Sequence, residues 1–402
     1  MVIKRSLYPF LLAHLEKPEI TIIAGPRQCG KTFLINLIIQ HLQNNGQRTL
    51  LLNLDIEEHK KYITSQKELI DKINLEFGGK QGYVFIDEIQ RKENAELFLK
   101  GIYDLGLPYK FIVSGSGSLE LKEKIHESLA GRKKIFNLST VSFFEFVNFK
   151  TNYSYEGRFE VFFDIEKELV KNYLTEYLHF GGYPRVILSP TITEKQDTIR
   201  DIFQSYVERD ISALLHLEKS EVVYQLLRLL SENVGNLVNI SSLADILGIS
   251  APTVKNYLWY LEKTFIINRI TPFTRRTGRE ISKSPMVYFM DIGLRNFVDN
   301  TFAHELSSAS IGFNFQNLIY NLLREQVSET ASVIHYFRTK DGVEIDFVIE
   351  SGSKIIPLEV KYTWKKSAPY ALRSFANKYQ SEPGRVITSE NFYKQINLPV
   401  IT

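Results

Sequence analysis

The segment Gly25-Pro-Arg-Gln-Cys-Gly-Lys-Thr32 follows the apolar run Ile20–Ala24 and precedes Phe33-Leu-Ile-Asn-Leu-Ile-Ile39. A strand, a glycine-bounded loop and a helix in that order leave few folds open, because this is the context in which G-x-x-x-x-G-K-[ST] forms a phosphate-binding loop. Gly25 and Gly30 let the backbone turn so that its amides face inward. Together with the helix N-terminus those amides make a concave anion site. Lys31 is placed to reach the β- and γ-phosphates of ATP, and the Thr32 hydroxyl to hold Mg²⁺. The nucleotide-contacting set is then Gly25, Pro26, Arg27, Gln28, Cys29, Gly30, Lys31, Thr32 and Phe33.

A chain of 402 residues is too long for one ordinary domain. Its net charge of +3 is too small to argue for nucleic acid by itself, so such an argument must come from local clustering. The single cysteine, Cys29, excludes an internal disulfide, fits a reducing compartment and reads as a small loop-filling residue. No stretch approaches roughly eighteen uninterrupted apolar residues, and the start Met1–Phe10 lacks a long apolar core and a small-residue cleavage site. A cytoplasmic protein with no membrane partner is expected.

Further apolar runs lie at Leu50–Leu54, Tyr83–Ile86, Tyr109–Val113 and Ile135–Leu138, with amphipathic segments such as Gln66–Phe77 and Asn94–Leu105 between them. Alternating strand and helix predicts a parallel sheet covered on both faces, with ligands at the carboxyl ends of the strands. The strand Tyr83–Ile86 ends in Asp87-Glu88. Asp87 is expected to bind Mg²⁺ through water opposite Thr32, and Glu88 to orient and deprotonate the attacking water. A third strand ends Ser114-Gly-Ser116, where Ser114 or Ser116 could hydrogen-bond that water or the γ-phosphate. Arg132, after Leu129-Ala-Gly131, is the candidate arginine finger acting in trans, which requires a homo-oligomer. Arg91 is a second candidate for sensing nucleotide or a neighbouring subunit.

The phosphate loop, Ile86-Asp-Glu-Ile-Gln-Arg91, Ser114-Gly-Ser116 and Leu129-Ala-Gly-Arg132 together resemble a bacterial and archaeal group of AAA-type ATPases. In that group the ATPase domain is fused to a C-terminal domain of unknown function. Phe180-Gly-Gly-Tyr-Pro184, Glu208-Arg-Asp-Ile211 and Lys283–Leu294 match as well, so the resemblance covers nearly the whole chain. It implies ATP binding and leaves the load on the engine open. Phe180–Pro184 itself reads as a structural corner.

In the middle of the chain, Ser142-Phe-Phe-Glu-Phe-Val147 reads as buried packing at a domain joint. Residues 240–261 carry a serine N-cap, a short apolar helix with Ala244, a Gly248 turn and a second helix capped by Ser250 with Pro252 in its first turn. That is the helix-turn-helix pattern. Thr264–Phe273 reads as a strand, and Thr274–Arg279 as the tip of a wing. Thr253, Lys255, Asn256 and Tyr260 face the expected DNA side. Lys255, Lys263, Arg269, Arg275, Arg276, Arg279 and Lys283 stand against only Glu262 and Glu280, the local excess that phosphate contact needs. The DNA-contacting set is Lys255, Asn256, Arg275, Arg276 and Arg279.

Near the C-terminus a helix from Gly312 through Leu323 is followed by strands at His335–Arg338, Glu344–Ile349 and Ile355–Lys361, the first two joined at Lys340-Asp-Gly342. Glu359 and Lys361 share a strand face, and Asp346 on the preceding strand can converge with them. Asp…Glu-x-Lys resembles the restriction-endonuclease-like core, in which carboxylates bind Mg²⁺ and the lysine stabilises charge or activates water, so Asp346, Glu359 and Lys361 form a second candidate metal site. Gln316 stands where that pattern often has a glutamate; a neutral amide is a weaker metal ligand, which speaks against cleavage.

The expected architecture is α/β: a P-loop parallel-sheet ATPase domain at 1–140, a helical extension at 141–215, a winged helix at 216–282 and a restriction-endonuclease-like domain at 283–402. The expected activity is Mg²⁺-dependent ATP hydrolysis with Lys31, Glu88, Ser114 and Arg132 in the catalytic set. It would be coupled to binding or remodelling of duplex or branched DNA. The alternative is an ATP-gated protein-interaction switch with no DNA substrate.

Overall fold

Apolar runs long enough to be buried on both faces form the sheet of the first unit. The computed structural model describes residues 2–116, 129–205, 221–274 and 284–397, apart from 303, 329, 340 and 365–368. It separates into two units: Met1–Val141 with Lys263–Phe265, and Ser142–Glu262 with Ile266–Thr402. Arg275, Arg276, Arg279, Lys283, Lys340 and the segment Glu208–Ile211 lie outside the described residues.

In the first unit β1 (Ile20–Gly25), β2 (Thr49–Asn53), β3 (Gly82–Asp87), β4 (Tyr109–Ser116) and β5 (Lys133–Asn137) form a sheet of order β2-β3-β4-β1-β5. Every pairing is parallel. Successive side chains point to opposite faces. Ile20, Ile22, Val84 and Ile86 therefore pack against Leu69, Ile73 and Phe77 of the helix Gln66–Phe77 and Phe98, Leu99 and Ile102 of the helix Ala95–Asp104. Ile23, Phe85, Ile112 and Phe136 pack on the other side against Leu34, Ile35 and Ile38 of the helix Lys31–Asn44 and Leu11 of the helix Tyr8–Ala13.

In the second unit β6 (Ile267–Pro272), β7 (Met286–Phe289), β8 (Val333–Arg338), β9 (Glu344–Ser351), β10 (Lys354–Val360) and β11 (Arg385–Ile387) form a sheet of order β11-β10-β9-β8-β6-β7. The strand expected at Thr264–Phe273 starts later, at Ile267, because Phe265 turns the chain with φ +63°. β6 pairs antiparallel with β7 and parallel with β8, so the hairpin expected to be a wing runs directly into the C-terminal sheet. The helices Glu221–Glu232, Ile240–Leu247 and Ala251–Lys263 precede it, and Leu237 bridges to Met286. The cap of the second helix is Asn239, which accepts the Ser242 amide at 3.1 Å, not a serine. Ser250 caps the third at 3.2 Å as expected. The C-terminal helix begins at Ser308, four residues before Gly312, because Ser307 caps it through Ser310.

The segment read as a helical extension is packed core. Phe143 sits 6.2 Å from Phe163, 5.5 Å from Tyr177 and 5.6 Å from Phe392, ring to ring. The motifs shared with the resembled family meet here in a polar knot. Asp291 accepts the Gly182 amide at 2.8 Å and the Leu294 amide at 2.9 Å. Asn296 donates to the Leu178 and His179 carbonyls at 2.8 and 2.9 Å. Asn314 donates to Leu178 at 3.1 Å and to Asn296 at 2.9 Å, and Asn317 exchanges two bonds with Phe289. These groups close on backbone that would otherwise be buried unpaired. Among the described residues no helix is long and apolar enough to cross a membrane.

Gly181 has φ +70°, and a Cβ there would lie 2.4 Å from both Asp291 Oδ1 and the Gly293 nitrogen. Gly181→Ala is expected to cost about 2 kcal/mol or more in urea unfolding, through strain and displacement of the Asp291 cap.

Candidate nucleotide site

The carboxyl ends of β1, β3 and β4 bring the predicted residues together. Gly30 has φ +101°, a left-handed turn that ends the loop and starts the helix carrying Lys31 and Thr32. Lys31 is buried, and its Nζ donates to the loop carbonyls of Gly25 at 3.1 Å and Pro26 at 2.8 Å. Among the described residues no carboxylate lies within ion-pair distance of it. A buried ammonium facing only neutral carbonyls fits an anionic ligand such as a phosphate. Cys29 is fully buried, and Thr32 and Phe33 are exposed at the helix start.

Asp87, 1 % exposed, is the hub. Its Oδ2 accepts the Thr32 hydroxyl at 2.7 Å, and its Oδ1 accepts the Ser114 hydroxyl. β4 lies between β1 and β3, which puts Ser114 beside both. Ser114 also accepts the Glu88 amide at 3.3 Å. The hydroxyl expected to meet water or γ-phosphate is thus engaged in holding Asp87 and the Glu88 backbone. Glu88 itself adopts φ +59°, uncommon for a side-chain-bearing residue. Gln90 is a site residue that sequence reasoning misses: its amide donates to Glu88 Oε2 and, at 2.8 Å, to the Ser116 hydroxyl. Its sequence sign is its place within Ile86–Arg91, two residues after Glu88.

Arg91 pairs with Asp55 at 3.0 Å, both half-exposed at the carboxyl edge of the sheet. Arg132 lies at the other edge. Its carbonyl accepts the Ile20 amide at 2.9 Å, and its guanidinium pairs with Asp104 at 2.7 Å. The length of β1, about 16 Å at strand rise, separates it from the loop of its own chain.

The C-terminal candidates also converge. Asp346 Oδ1 accepts the Gln316 amide at 2.9 Å, and Oδ2 accepts the Val360 amide at 2.7 Å. Lys361 Nζ stands 3.6 Å from Asp346 and 2.8 Å from Glu359 Oε1. Burial pushes the Asp346 carboxyl well above its ordinary range, and Glu359 adds to this. Burial would lower Lys361, but the two carboxylates outweigh it and hold its ammonium charged. Among the described residues no three His, Cys, Asp or Glu side chains are grouped to hold a metal. The expected metal site is thus a carboxylate pair already bonded to a lysine and an amide.

Of the DNA-facing candidates, Lys255 and Asn256 are exposed on the helix Ala251–Lys263. Arg269 does not belong to the free basic set, since it is paired with Glu262 at 2.5 Å.

Residues 17–147 match the family described as an AAA domain. Residues 171–305 and 311–400 match two domains of unknown function, DUF8612 and DUF4143. The chain is an AAA-type P-loop protein fused to a C-terminal domain of unknown function. Among similar proteins, the uncharacterized protein MJ1544 of Methanocaldococcus jannaschii is 27 % identical over 84 % of this chain and 73 % of its own. An uncharacterized protein of Haemophilus influenzae is 23 % identical over 90 % of this chain and 87 % of its own. The solved structure of the replication initiator DnaA with AMPPCP and single-stranded DNA aligns at TM-score 0.33 and 16 % identity, over 64 % of this chain and 88 % of that one.

A groove of about 580 Å³ opens at the amino ends of the strands, away from the loop, lined by Lys17, Tyr83, Tyr109 and Lys110 among others. Lys110 donates to the Lys17 carbonyl at 2.9 Å and to the Glu19 carbonyl. Burial brings its ammonium down to about 8, with Glu19 opposing. The folded chain therefore holds this proton less tightly than the unfolded chain. Folding stability should rise as pH climbs from about 8 toward the ordinary lysine range, and Lys110→Met should show a smaller rise in urea titrations at stepped pH, the remainder coming from Lys133, which burial also brings down to about 8. At the site itself, Ser114→Ala should cost about 1–3 kcal/mol of unfolding free energy, because Asp87 Oδ1 and the Glu88 amide lose their partner.

Proposed function

We propose that this chain is a Mg²⁺-dependent ATPase that couples nucleotide binding and hydrolysis to binding or remodelling of duplex or branched DNA. The observation that carries the ATPase reading is Lys31, a buried ammonium with no carboxylate in ion-pair distance among the described residues, held in a glycine loop at the head of a helix. Lys31 would leave its two carbonyls and grip phosphate oxygens. Thr32 and Asp87, 2.7 Å apart, would hold the metal. Bound Mg²⁺ would neutralise phosphate charge and stabilise the charge that develops as the terminal phosphoryl leaves. Glu88 would take the proton of the attacking water, and Ser114 would keep Asp87 and the Glu88 backbone in register. Arg132, at the far edge of the sheet, would complete the site of a neighbouring copy, which makes the working form a homo-oligomer.

The load would be DNA. The helices Ile240–Leu247 and Ala251–Lys263 with the β6–β7 hairpin have the order of a winged helix, and Lys255 and Asn256 lie exposed on its second helix. The C-terminal carboxylate pair would serve docking without cleavage, since Gln316 supplies an amide where a third carboxylate would draw a metal. One observation favours the protein-interaction switch instead. Ile246, 63 % exposed on the helix preceding Ala251–Lys263, offers apolar surface where a phosphate-binding face has no use for it.

Phosphate release should be Mg²⁺-dependent, lost in Lys31→Ala, and stimulated by duplex or branched DNA at low salt but much less at high salt. A wild-type protein that hydrolyses ATP yet binds no DNA at low salt selects the protein-interaction switch. With Mg²⁺ or Mn²⁺ no DNA cleavage is expected; cleavage that disappears in Glu359→Ala would overturn the docking role.

A further inference from the structure

Arg5 precedes the helix Tyr8–Ala13 and is 8 % exposed. Its guanidinium donates to the Cys29 carbonyl at 2.9 Å, the Ser139 carbonyl at 2.7 Å and the Thr140 carbonyl at 3.1 Å. Removing a guanidinium from water is costly, and an apolar side chain would fill the space at less cost. What an apolar side chain cannot do is grip two stretches of backbone at once.

One of those stretches is the phosphate loop. The peptide between Cys29 and Gly30 is trans and planar, so its carbonyl and its amide point in opposite directions. Arg5 holds the carbonyl, and the Gly30 amide is thereby aimed away from Arg5. Glycine at φ +101° resists rotation less than any other residue, so this peptide is the one most able to flip. A flip would replace an inward donor with an inward carbonyl oxygen, which repels phosphate. The other stretch, Ser139–Thr140, follows β5 and runs behind the loop: a Cβ on Gly25 would lie 2.2 Å from the Leu138 oxygen. The guanidinium thus braces the loop against a wall that its own sheet supplies.

We propose that Arg5 is a positioning residue of the nucleotide site, locking the polarity of the Cys29–Gly30 peptide so that the Gly30 amide faces the phosphates. This rests on the reading of residues 25–32 as an ATP site. It acts only through that loop, and so it governs affinity for the polyphosphate and leaves the proton transfer at Glu88 untouched.

The test is titration of the full chain with a fluorescent methylanthraniloyl-ADP and Mg²⁺, in wild type, Lys31→Ala, Arg5→Ala and Arg5→Lys, with melting temperature measured alongside. Arg5→Ala should weaken affinity by about tenfold or more, the loss of a charged hydrogen-bond donor. Arg5→Lys, which keeps the charge but not the fork, should recover part of it. Millimolar guanidinium chloride should restore binding to Arg5→Ala, whereas sodium chloride at equal concentration should not. Wild-type affinity in folded Arg5→Ala overturns the proposal. So does a loss that neither lysine nor guanidinium repairs, since that marks a role in folding only. If Arg5→Ala does not fold by circular dichroism, Arg5→Gln is judged by the same criteria. Absence of binding in wild type, with Lys31→Ala no different, overturns the ATP-site reading and this proposal with it. Where wild type binds and Lys31→Ala does not, the ATP-site reading stands, and unchanged affinity in Arg5→Ala then overturns the role of Arg5 alone.

Discussion

The site of the first unit depends on one buried carboxylate being satisfied from two sides. Asp87 is almost wholly removed from water, and a polar group so buried is costly unless it is hydrogen-bonded. Thr32 reaches it from the loop after β1, and Ser114 from β4. This geometry exists only because β4 lies between β1 and β3 in a parallel sheet, whose strands all end at one edge. The same edge carries the helix start at Lys31 and the left-handed turn at Glu88. If one strand changed places, the hydroxyls would no longer reach the carboxylate.

The second unit solves a different problem. Around Phe143 and Asp291 its backbone turns at Gly181, with φ +70°, and Gly293 of the helix Ile292–Val298 packs against the Phe180 carbonyl. Aromatic rings fill the volume, while Asp291, Asn296, Asn314 and Asn317 take up the amides and carbonyls left by helix ends and strand edges. A buried polar network of this kind, in which the amide nitrogens of Asn296, Asn314 and Asn317 all find acceptors, rigidifies a core and favours one arrangement of it. The shared motif Phe180–Pro184 and the described end of Lys283–Leu294 are therefore explained by packing. They need no shared chemistry to account for them.

Much of the first unit is readable residue by residue. The strands at Ile20, Leu50, Tyr83 and Tyr109 announce themselves as apolar runs ended by polar residues, and the loop motif locates the site between two of them. Ser114 is legible as a site residue, but its bond to Asp87 is not, because the sequence shows that it lies at a strand tip and not which carboxylate that tip faces. Arg5 is invisible for a related reason, since it acts through backbone that no spaced motif connects to it; Gln90 lies inside the motif Ile86–Arg91, but the motif does not show that it bonds Glu88 and Ser116. In the second unit the strands are legible, but the joining of β6 to both β7 and β8 is not, since pairing partners are chosen by the whole sheet.

By itself the sequence determined the local chemistry: a glycine loop before a helix, an apolar strand ending in Asp-Glu, and a capped helix pair with Lys255 and Asn256 on its outer face. Those follow from bond geometry and period, which act over a few residues. Only the tertiary structure decided that Arg269 is occupied by Glu262, that Gln316 bonds Asp346, and that Arg132 stands a sheet's length from the loop of its own chain. Charge and hydrogen bonding depend on distance in space, and spatial neighbours separated by tens of residues are set by packing that no short stretch of chain encodes.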